Sequence, residues 1–173
     1  QGSIDSPVRP LSVALAAEAT FVARTVDVDP NHLTGTLQRA AAHKGSAFVE
    51  IYQNCKIFND GVFEYVTDKS SKADNALLLE HGKPMLFGKD RNKGIRLNGL
   101  KPEVVEIGKD CGPDDLLIHD ERAEDVTLAY LLSRMAMPHF PEPVGVLRNV
   151  RKPTYEELLE GQMSEVIAKR GRG

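Results

Sequence analysis

Cys55 is the residue whose type and position point most directly to chemistry. It follows the apolar run Ala47–Tyr52, and open α/β sheets place their ligands at the carboxyl ends of such strands. The residues alone leave two interpretations of Cys55 open, a functional residue at the ligand-binding edge of the sheet and a small buried hydrophobe. The second is the more common role of a free cysteine. An iron–sulfur cluster normally takes four thiolates, whereas this chain has two cysteines, and the second, Cys111, indicates only a loop position.

Three other groups of polar residues carry weaker signals. His119, Asp120 and Glu121 point in different directions as sequence neighbours, so they cannot converge on one metal ion. They indicate a solvated strand end before a helix N-terminus, which favours acidic residues. His43, near the end of a predicted helix, suits a surface position there. A basic cluster is typical of a solvated hairpin open to a protein partner, and it comprises Lys89, Arg91, Lys93 and Arg96.

Composition limits the class of protein. The chain has 173 residues, of which 41% are hydrophobic and 27% charged, with a formal net charge of −3. These values are typical of one soluble globular domain and argue against general nucleic-acid binding. Charged residues interrupt every apolar run, so we expect no membrane span. Few cysteines and no signal-like start predict a cytoplasmic protein, and the common nucleotide, metal and nucleophile motifs are absent.

The first half of the chain predicts an α/β unit with a parallel sheet. The expected elements are a helix over Leu11–Ala19 with Ser12 as its N-cap, a strand over Thr20–Val26, a helix from Pro30 to Gly45 capped by Asp29, and a strand over Ser46–Tyr52. A helix between two strands in so short a span is the right-handed crossover that joins parallel strands.

The second half predicts shorter elements after an irregular loop over Asn54–Lys72. A connection of this length is uncommon unless it is functional or mobile. A small β meander is then expected from four apolar runs, Ala76–Glu80, Met85–Phe87, Ile95–Leu97 and Val104–Ile107. The remaining predictions are a strand over Leu116–His119, a helix over Glu124–Met137, an edge strand over Val144–Val150, and a helix from a capping box at Thr154 to about Ala168.

The run Glu50–Gly61 gives the clearest sign of a family. A strand ends in Cys55, and after two intervening residues the aromatic Phe58 and then Asn59 follow. This pattern resembles a segment of the β subunits of 2-oxoacid:ferredoxin oxidoreductases. Upstream, Gly2–Asp5 and Leu15–Arg24 resemble the stretch that follows the diphosphate-binding half in this family. Four downstream stretches are similar to the C-terminal portion of the bacterial 2-oxoglutarate type, and they are Ile118–Glu121, Leu131–Arg134, Gly145–Arg148 and Arg151–Tyr155.

This resemblance implies a fold, cofactors and partners. The fold would be part of a thiamine-diphosphate-binding α/β fold with a mostly parallel sheet. Residues 1–72 would be the C-terminal part of the thiamine-diphosphate-binding domain, and residues 73–173 a β meander with a helical extension. Such a β subunit binds thiamine diphosphate with Mg²⁺ and one 4Fe–4S cluster, whose last ligand matches Cys55. With an α subunit it converts a 2-oxoacid and coenzyme A into acyl-CoA, carbon dioxide and reduced ferredoxin.

Several family elements have no counterpart in this sequence. The Gly-Asp-Gly-Asp element and the downstream Asn that hold magnesium and diphosphate are absent, as are the other cluster cysteines. We therefore expect the C-terminal half of a β subunit, with no catalytic residue of its own and inactive alone. Asn54 stands where many relatives have Pro before the cysteine. Two alternatives remain, a cofactor-free α/β interaction domain and a pyruvate-type relative.

Overall fold

The described part of the chain contains two sheets. The larger has four strands with helices on both faces, and the smaller has three strands. The structure is a computed structural model that describes residues 4–171. The helices are α1 (Pro10–Ala16), α2 (Pro30–Ala42), α3 (Glu64–Thr67), α4 (Lys72–Asn75), α5 (Thr127–Arg134) and α6 (Tyr155–Arg170). The strands are β1 (Phe21–Val26), β2 (Ala47–Tyr52), β3 (Ala76–Leu78), β4 (Leu86–Phe87), β5 (Lys93–Asn98), β6 (Lys101–Glu106) and β7 (Glu142–Asn149).

The larger sheet has the strand order β2-β1-β7-β3. β1 and β2 are parallel and β3 is parallel to β7, whereas β7 is antiparallel to β1. The predicted α/β class and mostly parallel sheet are therefore confirmed. The crossover helix α2 forms as its cap predicts, because the Asp29 carboxylate accepts the backbone N–H of His32 at 3.1 Å and Pro30 occupies the first turn.

The prediction that residues 144–150 form an edge strand is wrong. β7 lies between β1 and β3, and seven of its eight residues are buried. Its middle is apolar on both faces, which suits a central strand as well as an edge strand. Gly145 also permits a close approach, since a Cβ there would lie 2.9 Å from the Leu79 carbonyl oxygen and its φ is +132°.

Ser12 is not the N-cap of α1. The cap position is Arg9, which makes no side-chain cap bond, and Pro10 starts the helix. Ser12 is buried inside α1, where its hydroxyl shares a 2.8 Å hydrogen bond with the hydroxyl of Ser133 in α5. α1 and α5 cover one face of the sheet around Val22, and α2 packs on the other face.

The second half departs from the predicted meander in one strand. The run at residues 76–80 contributes β3 to the larger sheet, and the other three runs form the antiparallel sheet β4-β5-β6. Residues 116–119 form no strand, although the Leu117 N–H donates to the Ile95 carbonyl at 2.8 Å. The predicted irregular loop at 54–72 contains the short helix α3 and ends where α4 begins, and α5 is shorter than predicted at both ends.

The segment at His119–Glu121 is mostly buried, so its prediction as a solvated strand end is wrong. His119 is 1% exposed, and its Nε2–H donates to the Val146 carbonyl at 2.8 Å. Burial lowers the pKa of His119, which favours the neutral ring. Glu121 is buried and bonded to Arg39, so these side chains stabilise the packing against β7.

α6 begins at the predicted capping box. The Thr154 hydroxyl accepts the Glu157 N–H at 3.3 Å, and the Glu157 carboxylate accepts the Thr154 N–H at 2.9 Å. None of the residues of this helix is buried. Within residues 4–171, no helix has the length and apolar character needed to cross a membrane.

Candidate functional site

Cys55 lies just beyond the carboxyl end of β2, at the sheet edge where parallel strands place ligands. Its side chain is exposed and forms no disulfide. The interpretation of Cys55 as a small buried hydrophobe is therefore wrong. We call residues 53–62, which connect β2 to the segment before α3, the Cys55 loop.

Asn54 shapes the Cys55 loop from within. Its Nδ2 donates to the Asp60 carboxylate at 2.8 Å, and its Oδ1 accepts the Gly61 N–H at 2.9 Å. The Cys55 carbonyl accepts the Asn59 N–H at 3.0 Å, which closes a tight turn around the cysteine. Asn54 precedes this turn and binds the two residues that follow it, a role that proline at this position could not perform because it has no side-chain amide.

The backbone of the loop acts on the Cys55 thiol. The N–H groups of Phe58 and Ile57, and more weakly that of Asn59, lower the pKa of this thiol, against smaller opposing effects of desolvation and the Asp60 charge. Hydrogen bonds to the charged form stabilise a thiolate. A thiolate is the form in which cysteine binds metal, and N–H groups directed at sulfur also tune iron–sulfur clusters.

Large apolar side chains beside Cys55 face solvent. Ile57 is 86% exposed and Phe58 is 89% exposed, and Ile51 on β2 is 42% exposed. β2 is also an edge strand of the larger sheet. Exposed apolar patches of this kind mark surfaces that bind a partner or a ligand. The Cys55 loop thus presents its sulfur next to exposed apolar side chains.

A buried guanidinium lies beneath this surface. Arg24 is 5% exposed in the middle of β1. Its Nε donates to the Glu50 carboxylate on β2 at 2.7 Å, and its Nη1 donates to the Glu142 carboxylate on β7. Burial disfavours the charge on Arg24, but the carboxylate of Glu142, with smaller effects of Tyr52 and Glu50, outweighs it and raises the guanidinium pKa. Arg24 therefore stays charged and joins three strands.

Two tyrosines complete this network and connect it to the Cys55 loop. The hydroxyl of Tyr52, at the end of β2, donates to Glu142 at 2.9 Å, and that of Tyr65, in α3, donates to Glu142 at 3.2 Å. Burial together with the Glu142 charge raises the pKa of Tyr65 to about 12, and burial raises the pKa of Tyr52. Both hydroxyls therefore stay protonated as donors. We call Arg24, Glu50, Tyr52, Tyr65 and Glu142 the Arg24 network.

The Arg24 network holds the two ends of the Cys55 loop together. Tyr52 precedes the loop and Phe63 follows it, and their rings stack with centroids 4.1 Å apart. The Arg24 guanidinium carbon lies 4.8 Å from the centroid of the Tyr52 ring, a cation–π contact. Side chains fixed by packing and hydrogen bonds keep a site in a defined geometry. The cysteine is therefore presented by a loop with an ordered base.

Sequence reasoning missed this network, although signals for it exist. Arg24 stands within the apolar run at residues 20–26, and Glu142 stands between two prolines. A charged residue is almost never fully buried without a partner, so each position could have suggested a buried ion pair. Which acidic residue pairs with Arg24 was not evident, because the two residues are 118 positions apart.

The other cysteine does not join Cys55. Cys111 is half-buried in a turn beside β6, where its backbone pairs with Ile107. Across residues 4–171, the structure contains no cluster of three or more His, Cys, Asp or Glu side chains able to hold a metal ion. A metal ion or cluster bound at Cys55 would therefore need further ligands from outside the described residues.

Known proteins similar in sequence are β subunits of oxidoreductases. None of the family models matches the chain. Over 163 residues, 94% of the chain, it is 38% identical to 2-oxoglutarate oxidoreductase subunit KorB of Mycobacterium tuberculosis, of which it covers 43%. Over 58 residues it is 36% identical to the 2-oxoacid:ferredoxin oxidoreductase subunit beta of Saccharolobus solfataricus, covering 34% of the chain and 19% of that protein.

A solved structure has a similar fold. It is the 2-oxoglutarate:ferredoxin oxidoreductase from Magnetococcus marinus, with 2-oxoglutarate, coenzyme A and succinyl-CoA bound. The similarity has a TM-score of 0.59 at 21% identity and covers 95% of this chain and 41% of that chain. The chain spans less than half the length of the curated relatives it matches. Over that segment, the chain is homologous to the β subunits of 2-oxoacid:ferredoxin oxidoreductases, as the Cys55 run predicts.

Proposed function

We propose that this chain is the C-terminal part of a 2-oxoacid:ferredoxin oxidoreductase β subunit, in which Cys55 is one thiolate ligand of a 4Fe–4S cluster. The observation that carries this proposal is the exposed Cys55 sulfur on a loop at the carboxyl edge of the sheet. The nearby N–H groups of Phe58 and Ile57, which lower the pKa of its thiol, support the same assignment. The extensive identity to an oxidoreductase β subunit supports the same assignment.

In the proposed complex the substrates are a 2-oxoacid and coenzyme A, and the products are acyl-CoA, carbon dioxide and reduced ferredoxin. The identity to a 2-oxoglutarate oxidoreductase subunit favours 2-oxoglutarate over pyruvate as the 2-oxoacid. Thiamine diphosphate with Mg²⁺ would supply the carbanion chemistry of decarboxylation, and the cluster would carry the released electrons. The diphosphate and magnesium ligands are assigned to residues outside this chain, and ferredoxin and an α subunit are the proposed protein partners in the cytoplasm.

The residues of this chain would position the cluster rather than react with substrate. Cys55 would bind one iron as a thiolate, and the N–H groups of Phe58 and Ile57 would reduce the charge on its sulfur. Hydrogen bonds to a ligating sulfur and exclusion of solvent both change the reduction potential of a cluster. The exposed side chains of Ile57 and Phe58 would exclude water on this side once the rest of the complex covers them.

The proposed division of the subunit lies near residue 72. Residues 1–72 would belong to the thiamine-diphosphate-binding domain, and residues 73–173 would form its C-terminal extension. β3 and β7 come from the extension and complete the sheet that begins with β1 and β2, so the two parts would fold together. With one candidate cluster ligand at the site, the chain alone would be inactive.

The test compares the two cysteines in the complete enzyme complex. We expect Cys55→Ser to lower cluster iron and the electron paramagnetic resonance signal of the reduced cluster, and to slow ferredoxin reduction by at least about a hundredfold, because a serine hydroxyl is a poor ligand for iron in a cluster. Cys111→Ser is the matched control and should retain iron and activity.

The iron measurement separates the competing functions. Full iron content in the Cys55→Ser complex would overturn the ligand assignment. A wild-type complex without iron would favour a cofactor-free interaction domain. Rates with 2-oxoglutarate and pyruvate, measured on the same wild-type preparation, decide between the two substrate types.

A further inference from the structure

A cavity separate from the Cys55 loop opens beside the carboxyl end of β1. Its volume is about 400 Å³, and it lies between the start of α2 and the helices α3 and α4. Small-molecule sites commonly have volumes of roughly 300 to 1,000 Å³ and are mostly apolar with a few polar groups. The size of this cavity therefore suits a small ligand.

The floor of the cavity is formed by apolar, buried side chains. Val26 of β1, Val66 of α3 and Val144 of β7 line it, and each is at most 7% exposed. These three residues belong to elements that pack together in the larger sheet and its flanking helix. A floor of this kind binds an aliphatic group by removing its surface from water.

The rim carries two ammonium groups without a protein counter-ion. Lys69 and Lys72 both line the cavity, and among residues 4–171 neither forms an ion pair or a side-chain hydrogen bond. The acidic group of the rim, Asp29, accepts the His32 N–H at the start of α2. Two positive charges against one negative charge leave the rim with an excess of one positive charge.

The imidazole at the rim, that of His32, adds no charge near neutral pH. His32 is half-buried, and its Nδ1 shares a 2.7 Å hydrogen bond with the Thr25 hydroxyl. Burial lowers the pKa of His32, although the nearby Asp29 charge opposes this effect. The ring is therefore neutral, and its Nε2 offers one further hydrogen bond to a ligand.

We propose that this cavity binds a small organic monoanion, namely a carboxylate with a compact branched aliphatic body. The carboxylate would lie at the rim between Lys69 and Lys72, and the aliphatic part would contact Val26, Val66 and Val144. The excess of one positive charge at the rim neutralises one carboxylate but not two. The apolar floor disfavours dicarboxylates and phosphate esters, because a second charged group would be desolvated without a partner. This site is independent of Cys55 and of the proposed cluster.

The test measures binding of 4-methylpentanoate to the complete subunit in its complex. Ligand-observed saturation-transfer NMR in a titration gives the dissociation constant, and 4-methylpentanamide, which has a similar shape and no charge, is the comparison ligand. We expect the carboxylate to bind the wild type, and the amide to bind about tenfold more weakly, because a charge-assisted hydrogen bond is stronger than a neutral one.

Two variants of the cavity and one control variant test where the ligand binds. Lys69→Ala with Lys72→Ala changes two exposed side chains and should weaken carboxylate binding about tenfold without changing amide binding. Lys44→Ala with Lys101→Ala removes the same charge from other exposed positions and should leave the constant within about twofold. Ala73→Phe fills the cavity and should abolish binding of both ligands.

Three results would overturn the proposal. The first is no saturation transfer to 4-methylpentanoate in the wild type. The second is equal affinity for the carboxylate and the amide, or equal losses from the two lysine pairs, which would show that the rim does not select an anion. The third is unchanged binding in Ala73→Phe, which would show that the ligand binds elsewhere.

Discussion

The two cysteine-bearing loops of this chain are held in different ways. The base of the Cys55 loop rests on the buried Arg24 network, through the Tyr52–Phe63 stack and the hydrogen bonds to Glu142. The turn at Cys111 rests on a partly exposed group, in which Arg96 pairs with Glu103 at 2.8 Å and donates to the Asp110 carbonyl at 3.3 Å. One loop is supported from the core and the other from the surface.

This difference shows that the backbone and its support, rather than the residue type, distinguish a candidate ligand. Cys55 combines an exposed sulfur with N–H donors from Phe58 and Ile57. Cys111 is half-buried in a turn beside the small sheet. A metal ligand needs both a stabilised thiolate and a fixed position, and the described structure provides the two together at Cys55.

The largest expected effect comes from opening the Arg24 network. Glu142→Ala removes the carboxylate that binds Arg24, Tyr52 and Tyr65. We expect a loss of about 3–5 kcal/mol in the free energy of unfolding, because a buried guanidinium loses its main partner. Urea unfolding followed by circular dichroism measures this change.

Glu103→Ala is the matched control for the support of Cys111. It removes the carboxylate from Arg96, and water reaches both side chains of that pair. We expect little or no change in unfolding free energy, since exposed ion pairs contribute little. Equal losses from the two variants would contradict the distinction between core support and surface support.

An effect of intermediate size is expected in thiol reactivity. Exposure and a lowered pKa predict that Cys55 reacts with iodoacetamide about tenfold faster than Cys111 at neutral pH. The pH at which the Cys55 rate reaches half its maximum should be lower in the folded chain than in the chain unfolded in urea, because the folded loop stabilises the thiolate. Peptide mass spectrometry after timed alkylation reports both rates. Faster alkylation of Cys111, or equal pH midpoints for folded and unfolded Cys55, would refute this account.

The smallest expected effect tests the side chain that shapes the loop. Asn54→Ala removes the bonds to Asp60 and Gly61, and we expect a loss of about 1 kcal/mol in unfolding free energy. The alkylation midpoint of Cys55 should rise, because the N–H donors are held less firmly around its sulfur. Asn98→Ala, at the exposed end of β5, is the control and should leave the midpoint unchanged.

Much of the fold could be predicted where short-range patterns suffice. Asp29 with Pro30 marks the start of α2, and the capping box at Thr154 marks the start of α6, since cap bonds connect residues three positions apart. β1 and β2 followed from their apolar, β-branched runs. The position of Cys55 at the end of β2 was predictable for the same reason.

Other features could not be predicted because distant segments decide them. The apolar run of β7 suits either position in a sheet, and β7 is central because β3 pairs with its far side. His119 looks like a surface residue in the sequence, yet its ring is buried and donates to the Val146 carbonyl of β7. Neither partner lies within the span over which local patterns carry information.

The amino-acid sequence by itself determined the local elements, the place of Cys55 after a strand and the family resemblance, because each depends on residues close together in the chain. Only the tertiary structure decided that Cys55 is exposed among backbone donors and that Arg24 meets Glu142 beneath it. The physical reason is that burying a charge requires a specific partner, and folding brings that partner from 118 positions away.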